Sequence, residues 1–403
     1  MEESKYFIII VVIFAFFGII ISVFKNNNIL KSNQLNNIDN YDSYDEEDLL
    51  SLIKEKEKML DKVGKENKVI LEKEIDLLYE NIKKIEENRI KKITRKDGKL
   101  TLSCSYSLDN GYLYPTLVAM TSLVENKGKN TFYDIYVLIS PDFKEKNKDI
   151  LKSVETRHPE DCKIIFIQMA DQYKGKDTNS DIPLASYYRL ELHNLLPDVD
   201  RIIYMDGDTI VFQDLSELIT LDMKGNYILG FLDDKVNELE KFNIKNGIFV
   251  CAGVILMNLH ALRKNNFSLR FNDFLEVNIG NLYQHDQTTI NVVCQGKIST
   301  LPPKYGMWNF KNRETAIEHN DKQSSKVKYI EKDFLYSYYN PAILHYVCNK
   351  PFKKRVNNRT FHEEWWEYAN KTGYYDEIYK NTNKSPYLKI SICLLNILIS
   401  ILF

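Results

Sequence analysis

Apolar, β-branched runs alternate with helix-like stretches between residues 100 and 206. The runs LTLSCSYS, FYDIYVLIS, CKIIFIQM and RIIYMD are interleaved with stretches of helical spacing such as TLVAMTSLVEN and LASYYRLELHNLL. This alternation is typical of an α/β domain, in which a mostly parallel sheet carries helices on both faces. Ligands of such sheets bind at the carboxyl ends of the strands, so we expect the site residues there. We assign residues 98–380 to this domain.

A long uncharged run lies near the N-terminus. Residues 7–24, FIIIVVIFAFFGIIISVF, hold no charge over 18 positions, which meets the length of a helix that crosses a bilayer. A cleaved signal peptide is the alternative interpretation, but the preceding MEESK is acidic and no small-residue cleavage site follows. The sequence therefore predicts an N-terminal membrane anchor over residues 1–25 and a single-pass membrane protein.

Two features of the sequence predict opposite orientations for this anchor. The charges on either side of the apolar run favour a cytoplasmic C-terminal side. Four Asn-x-Ser/Thr sequons would instead be usable only in a secretory lumen, which would place a eukaryotic protein in the Golgi or secretory lumen in type II orientation. They begin at Asn266, Asn358, Asn370 and Asn383.

Two further segments separate the anchor from the α/β domain. Residues 26–48 are rich in Asn, Asp and Ser, a composition that predicts a flexible linker. Residues 49–97 carry apolar side chains at spacings of four and three, from Leu49 to Ile85, which predicts a charged helical stalk. Such a stalk would form a coiled coil and a homodimer, or else a solvated helix that packs on the globular domain.

The C-terminus ends in a second apolar run. Residues 390–403, ISICLLNILISILF, are 14 in number and include Asn396, which is short for a spanning helix. A GPI-type signal is one interpretation of the tail at residues 387–403. A tail that lies at a membrane interface or docks on the protein is the other.

Charge and cysteine content narrow the classes of function. The 403 residues include 54 Lys+Arg and 56 Asp+Glu, a net charge of −2, so the chain lacks the basic excess of nucleic-acid-binding proteins and we expect no nucleic-acid partner. The six cysteines form no CxxC pair, which argues against a structural zinc site or a thioredoxin-like redox site. Buried free thiols are the simpler interpretation.

The most informative stretch is RIIYMDGDTIVFQDL, residues 201–215. Asp206 and Asp208 follow an apolar strand, and positions i and i+2 of an extended chain point to the same side. Their carboxylates suit a hard ion such as Mn²⁺ or Mg²⁺, which neutralises diphosphate oxygens. Gly207 lets a ligand approach the main chain. A polar turn between two strands is the structural alternative.

A second stretch, NPAILHYVCNKPF, supplies complementary chemistry. Its apolar strand AILHYV carries His345, whose imidazole can complete a metal site. Lys350 lies five residues further on, where an ammonium group can meet a phosphate.

Five ordered segments now resemble glycosyltransferase family 8, the retaining enzymes that include glycogenin and the lipooligosaccharide galactosyltransferases. They are SLDNGYLYPTLVAMTSL, ASYYRLELHNLLPDVDRIIYMDGDTIV, CAGVILMNL, YQHDQTTIN and HYVCNKPF. The likeness extends over about residues 102–352. It implies the A-type glycosyltransferase fold, a Rossmann-like sheet of mostly parallel strands, together with a UDP-sugar donor and Mn²⁺.

The resemblance also implies roles for particular residues. Asp206, Asp208 and His345 match the family's metal ligands, and Asp286 and Gln287 fall beside the anomeric carbon as catalytic groups. The residues that match nucleotide-sugar contacts are Asp109 and Tyr112 at the uridine, Arg189 at the donor, Asp206 with Gly207, and Lys350 at the diphosphate.

Three departures from the family pattern accompany these matches. Cys251 stands where the family has an asparagine on the acceptor side, Cys348 replaces a glycine, and Lys350 comes one residue early. A side chain at position 348 would crowd the diphosphate, or the changes would mark a subfamily with another acceptor.

The sequence thus predicts a metal-dependent retaining glycosyltransferase that moves a hexose from UDP-glucose or UDP-galactose to a glycan, lipid-linked or protein-linked acceptor. Retention requires a covalent intermediate or attack from the leaving-group face, and the weakly nucleophilic Gln287 favours the second. Two alternatives remain. One is a non-catalytic membrane protein that binds UDP-sugar or glycan, and the other is a haloacid-dehalogenase-type phosphatase, in which the first aspartate of IIYMDGDTIV would be the nucleophile.

Overall fold

The computed structural model describes residues 45–382, apart from 64, 174–182, 234–235, 246, 283, 323–326, 348 and 354–359. The predicted anchor at 1–25, nearly all of the predicted linker and the C-terminal tail at 387–403 lie outside this part of the chain. So do Cys348, Asn358 and Asn383. Every helix in the described ranges is too short or too polar to cross a bilayer.

The described residues fall into two compact units, one ending at Glu87 and one beginning at Asn88. The boundary lies within a helix. The helices of the described residues are α1 (Glu46–Leu60), α2 (Lys65–Ile93), α3 (Leu113–Glu125), α4 (Glu145–Arg157), α5 (Leu192–Leu195), α6 (Glu217–Thr220), α7 (Val236–Lys241), α8 (Leu259–Lys264), α9 (Phe267–Asn278), α10 (His285–Val293), α11 (Arg313–Lys322), α12 (Glu331–Tyr339), α13 (His362–Lys371) and α14 (Tyr375–Asn381).

In the first unit, α1 and α2 pack on each other as a helical pair. Leu49 and Ile53 of α1 meet Ile75 and Leu78 of α2 in a small buried cluster. The N-terminus of α1 is stabilised by a capping box between Asp45 and Asp48. The region is therefore helical, and the apolar positions from which the stalk was predicted are largely used within one chain. The coiled-coil homodimer stays a prediction.

The described part of the second unit contains ten strands in two sheets. They are β1 (Leu100–Leu108), β2 (Thr131–Ile139), β3 (Cys162–Gln168), β4 (Arg201–Met205), β5 (Thr209–Val211), β6 (Ile228–Leu232), β7 (Val250–Asn258), β8 (Ile298–Thr300), β9 (Tyr305–Trp308) and β10 (Ile343–His345).

The large sheet has the strand order β3-β2-β1-β4-β7-β6-β8. Its neighbours are parallel except at β7, which runs antiparallel to both β4 and β6. The prediction of a mostly parallel α/β sheet is confirmed. A second, three-stranded sheet has the order β5-β10-β9.

Both faces of the large sheet are covered, as the uninterrupted apolar strands indicated. Along β4, Ile203 and Met205 join the core cluster that contains α3. The alternating residues Ile202 and Tyr204 join the cluster on the opposite face. Because successive side chains of a strand point to opposite faces, one strand contributes to two cores. The carboxyl ends of β1 and β4 are left to hold polar side chains.

Candidate active site

The two predicted aspartates lie in the turn that connects the sheets. Asp206 follows β4 of the large sheet, and Asp208 precedes β5 of the small one. The backbone N–H of Asp206 donates to the Gly253 carbonyl on β7 at 2.7 Å, and the Thr209 hydroxyl donates to the Asp206 carbonyl at 2.8 Å. These bonds fix the turn from both sides, so the carboxylates are held rather than free to rotate with a loop.

Strand pairing brings the histidine to this turn. β10 runs antiparallel to β5, with His345 opposite Thr209. The His345 Nε2 atom lies 3.2 Å from Asp208 Oδ1 and 3.6 Å from Asp206 Oδ2. One oxygen or nitrogen atom from each of the three side chains lies within 4.8 Å of the others. This donor set suits a divalent ion such as Mn²⁺ or Mg²⁺.

Arg189 orients the first aspartate. Its guanidinium donates to Asp206 Oδ1 at 2.8 Å, and the Tyr204 hydroxyl donates to the same oxygen at 3.0 Å. The guanidinium also lies over the Tyr204 ring, 4.1 Å from its centroid. Because both donors use Oδ1, the other oxygen of Asp206 faces His345.

The same arginine holds one of the two predicted catalytic residues. Asp286 lies in the first turn of α10, and its Oδ2 is 3.1 Å from Arg189 Nε. Burial raises the pKa of Asp286 to about 6, although Arg189 acts in the opposite direction. The pKa of Arg189 itself is raised, since Asp206 and Asp286 together outweigh the effect of its burial.

The neighbouring Gln287 has both ends of its amide engaged. Its Oε1 accepts from the Ala252 N–H at 2.9 Å, and its Nε2 donates to Asp233 Oδ2 at 2.8 Å and to Gln284 Oε1 at 2.7 Å. These bonds fix the amide against β7 and the end of β6. Gln287 is therefore a polar side chain that hydrogen bonds hold in place within the site.

Lys350 reaches the second aspartate. Its ammonium pairs with Asp208 Oδ2, while His345 contacts the other oxygen. Burial raises the pKa of Asp208, but Lys350 and His345 outweigh burial and hold that pKa well below its usual range. Burial lowers the pKa of His345, and contacts with Asp208 and Cys251 more than offset this and raise it to about 10.

The predicted uridine residues lie at the end of β1. The Asp109 carboxylate accepts from the backbone N–H groups of Gly111 and Tyr112, at 2.8 and 3.2 Å, and so caps a 3₁₀ turn. The Tyr112 ring lies 5.9 Å from Lys350 Nζ. This turn brings the first strand segment beside the DGD turn.

All ten predicted site residues line one cavity of about 640 Å³. They come from five separate parts of the chain: Asp109, Tyr112, Arg189, Asp206, Gly207, Asp208, Asp286, Gln287, His345 and Lys350. Their assigned roles stay predictions. Their convergence at the carboxyl ends of β1 and β4 is a feature of the structure.

Gly207 and Gly253 are needed for close packing. A Cβ at Gly207 would overlap the Thr116 hydroxyl and lie 3.3 Å from the Tyr112 ring. A Cβ at Gly253 would overlap the His345 ring and lie 2.8 Å from Asp206 Oδ2. Gly207 was predicted to admit a ligand to the main chain, and the structure adds that α3 leaves no room for a side chain there.

Several residues of the site were not predicted from the sequence. They are Tyr204, Asp233, Gly253 and Trp308. Asp233 directly follows the buried strand β6, so the rule that ligands bind at strand ends could have identified it. The other three have no local signal, because their importance depends on which side chains face them.

Cys251 lies directly against the predicted metal site. Its sulfur is 3.7 Å from His345 Nδ1, on the opposite side of the imidazole from the aspartates. The residue that departs from the family pattern therefore contacts a predicted ligand. The four described cysteines, Cys104, Cys162, Cys251 and Cys294, are free and buried, as expected.

The fold and the site define a glycosyltransferase of the A-type fold. A family model described as "Glycosyl transferase family 8" matches residues 103–354, more than half of the chain. The chain belongs to this family and is a glycosyltransferase. The resemblance is thereby confirmed, and the phosphatase and non-catalytic alternatives are not favoured.

Two curated bacterial proteins are similar in sequence. General stress protein A of Bacillus subtilis is 26% identical over 287 residues, which cover 69% of this chain and 96% of that protein. Lipopolysaccharide 1,2-glucosyltransferase of Escherichia coli is 24% identical over 225 residues, which cover 53% of this chain and 65% of that enzyme. The chain thus spans slightly less than two thirds of the second relative.

A solved structure supports the fold. The galactosyltransferase LgtC, in complex with donor and acceptor sugar analogs, superposes with a TM-score of 0.56 at 19% identity. The superposition covers 67% of this chain and 96% of that one. At this identity the likeness concerns the fold alone.

Proposed function

We propose that this enzyme is a metal-dependent retaining hexosyltransferase that uses UDP-glucose or UDP-galactose. The observation that carries the proposal is the convergence of Asp206, Asp208 and His345 within 4.8 Å, in one cavity with the predicted nucleotide residues. The acceptor would be a glycan, a lipid-linked or a protein-linked saccharide. A membrane location, which would place the enzyme near lipid-linked acceptors, is part of the same proposal.

The residues present fit a bound Mn²⁺ or Mg²⁺. Two carboxylates and one imidazole are hard or borderline donors, and three protein ligands leave positions for diphosphate oxygens. When bound, the ion supplies Lewis-acid stabilisation of the charge that develops on the departing UDP. Asp206 Oδ2, Asp208 and His345 Nε2 would hold it.

Two cationic side chains add positive charge. Arg189 is buried and held by Asp206 and Asp286, so its charge is oriented before the donor binds. Lys350 lies on the other side, against Asp208. A preorganised charge such as that of Arg189 stabilises a transition state strongly because it needs no reorganisation during the reaction.

The chemistry of Gln287 and Asp286 favours attack from the leaving-group face. The oxygen of Gln287 is an amide oxygen, a weak nucleophile, and it already accepts from Ala252 N–H. Asp286 is paired with Arg189. We therefore assign these residues to donor positioning rather than to a covalent intermediate.

The direct test is replacement of Asp208 by asparagine. This change removes a charged ligand of nearly the same shape, so UDP release from UDP-glucose or UDP-galactose should fall by roughly 100-fold or more. Asp149→Asn, an exposed change on α4, is the matched control and should keep the wild-type rate. Circular dichroism checks that both variants are folded.

Chelation tests the same proposal without a mutation. EDTA should abolish UDP release and Mn²⁺ should restore it. Activity that persists in EDTA, or a wild-type rate in Asp208→Asn, would contradict the metal role. Release of inorganic phosphate in place of UDP would point to the phosphatase, and UDP-sugar binding without turnover would point to the non-catalytic protein.

A further inference from the structure

Both oxygens of the Asp208 carboxylate face a basic group. His345 Nε2 lies 3.2 Å from Oδ1, and the Lys350 ammonium pairs with Oδ2. Asp208 is only 2% exposed. A buried carboxylate is costly unless it is paired, so Lys350 compensates a charge that water cannot reach.

Lys350 therefore neutralises a carboxylate that an ion at this site would use. A divalent cation bound to Asp208 would lie close to the lysine ammonium, and two positive charges repel each other strongly where water is excluded. Binding of the ion and retention of the lysine on Oδ2 are in competition. An ion that binds Asp208 therefore favours departure of the lysine from Oδ2.

Arg189, a second cation of the site, cannot make way in this manner. The Arg189 guanidinium is fixed by Asp206 and Asp286 and by the carbonyl groups of Ser186 and Ala252. Lys350 is a compact charge on a flexible four-carbon stem. It lies in the turn after β10, beside the Tyr112 ring, on the nucleotide side of the cavity.

We propose that Lys350 is the resident counter-ion of the metal site and passes from Asp208 to the donor diphosphate when the metal ion binds. The inference rests on the proposed function and adds the order of events to it. Metal and diphosphate bind as a pair, because the ion displaces the lysine and the diphosphate accepts it. By linkage, each then tightens the binding of the other by the same factor.

If this exchange occurs, replacement of Lys350 by an uncharged residue should change the affinities for Mn²⁺ and UDP in opposite directions. Removing the Lys350 charge relieves the competition, so Mn²⁺ alone should bind more tightly. The same change removes a diphosphate contact, so UDP should bind more weakly. If Lys350 only contacted phosphate, its replacement would weaken UDP binding but would not tighten the binding of Mn²⁺ alone.

The experiment measures Mn²⁺ binding to the full protein by electron paramagnetic resonance of the free ion, without nucleotide and then with UDP. Lys350→Met should tighten the binding of Mn²⁺ alone by about 5-fold or more and weaken the binding of UDP by about 10-fold. The factor by which each ligand tightens the binding of the other should fall close to one. Lys353→Met, which removes a second cavity lysine, should change Mn²⁺ affinity by less than about 2-fold. Lys350→Arg should retain the coupling.

Each outcome bears on one of the two proposals. Unchanged or weaker Mn²⁺ binding in Lys350→Met, while wild-type protein binds Mn²⁺ with UDP, overturns the exchange and leaves the proposed function standing. A wild-type protein that binds no Mn²⁺ with UDP present contradicts the proposed function itself. Equal tightening of Mn²⁺ binding in Lys353→Met would also overturn the exchange, because the effect would then come from the overall positive potential of the cavity. Lys350→Gln provides the same readout if the methionine variant does not fold.

Discussion

Gly253 sets how closely β7 approaches the predicted metal ligands. Its backbone carbonyl accepts from the Asp206 N–H at 2.7 Å, and its missing side chain leaves the space in which the His345 ring lies. The absence of a side chain at this position therefore allows β7, the turn at Asp206 and the His345 ring to pack together. No other amino acid satisfies that geometry without displacement.

We expect Gly253→Ala to impair metal binding more than folding. The added methyl group must push His345 away from the aspartates, which should weaken Mn²⁺ binding by about 10-fold and destabilise the protein by about 1–3 kcal/mol. Mn²⁺ titration and thermal unfolding measure the two effects. Gly280→Ala, where an added Cβ meets open space, is the control, and an unchanged Mn²⁺ affinity in Gly253→Ala would refute the steric argument.

Residues with distinctive chemistry were the ones that sequence reasoning could identify. Asp206 and Asp208 stood out because their i, i+2 spacing follows an apolar strand, and His345 because it ends another. Tyr204 and Gly253 did not stand out, since a tyrosine in a strand and a glycine in an apolar run have ordinary packing roles. Their contributions depend on neighbours that are distant along the chain.

Among the elements, the short strands β5 and β10 have the greatest influence on the site. They pair antiparallel over three residues, and that register places His345 opposite Thr209. The sequence indicated an apolar strand before the histidine and another after the aspartates, but three-residue strands carry too little pattern to reveal their partners. A shift of one residue would turn His345 to the other face of the sheet.

The contact between α5 and α9 should make the protein sensitive to acid. His193 on α5 is fully buried, and its Nε2 lies 2.8 Å from the Ser268 hydroxyl on α9. Burial lowers the pKa of His193 to about 4, below the value of about 6.5 in an unfolded chain. Between these values the unfolded chain takes up a proton that the native protein refuses.

The neutral histidine thus contributes stability above about pH 6.5 that is lost as the pH falls toward 4, by about 3 kcal/mol at most. His193→Gln should remove most of this dependence, as measured by urea unfolding at pH 4.5 and 7. His260→Gln, on an exposed histidine, should keep the wild-type pH profile. An identical profile in His193→Gln would show that another group is responsible.

At the scale of the whole molecule, the two units divide the chain inside α2. Every residue that lines the candidate active site belongs to the second unit. The final turn of α2 also belongs to it, because Ile90 and Ile93 pack on its core and Lys92 lies 3.2 Å from Asp200. The predicted start of the catalytic domain at residue 98 would remove that turn.

We therefore expect a chain shortened to begin at Asn88 to keep kcat/KM for UDP release within about 2-fold of the full protein. A chain that begins at Lys99 should unfold at lower temperature, because it exposes the core surface covered by Ile90 and Ile93. Thermal unfolding and UDP release compare the two directly. Equal stability of both chains, or loss of activity on removal of the first unit, would contradict the division of the chain between Glu87 and Asn88.

The sequence by itself determined the alternation of strands and helices, the mostly parallel sheet and the chemistry available at the strand ends. These follow from local periodicity and from side-chain type, which are properties of short stretches. Only the tertiary structure decided that α1 and α2 pair within the chain, that β7 runs antiparallel, and that Gly253 and Lys350 meet the carboxylate pair. Such meetings depend on strand register and on packing between distant segments, and no local pattern specifies either.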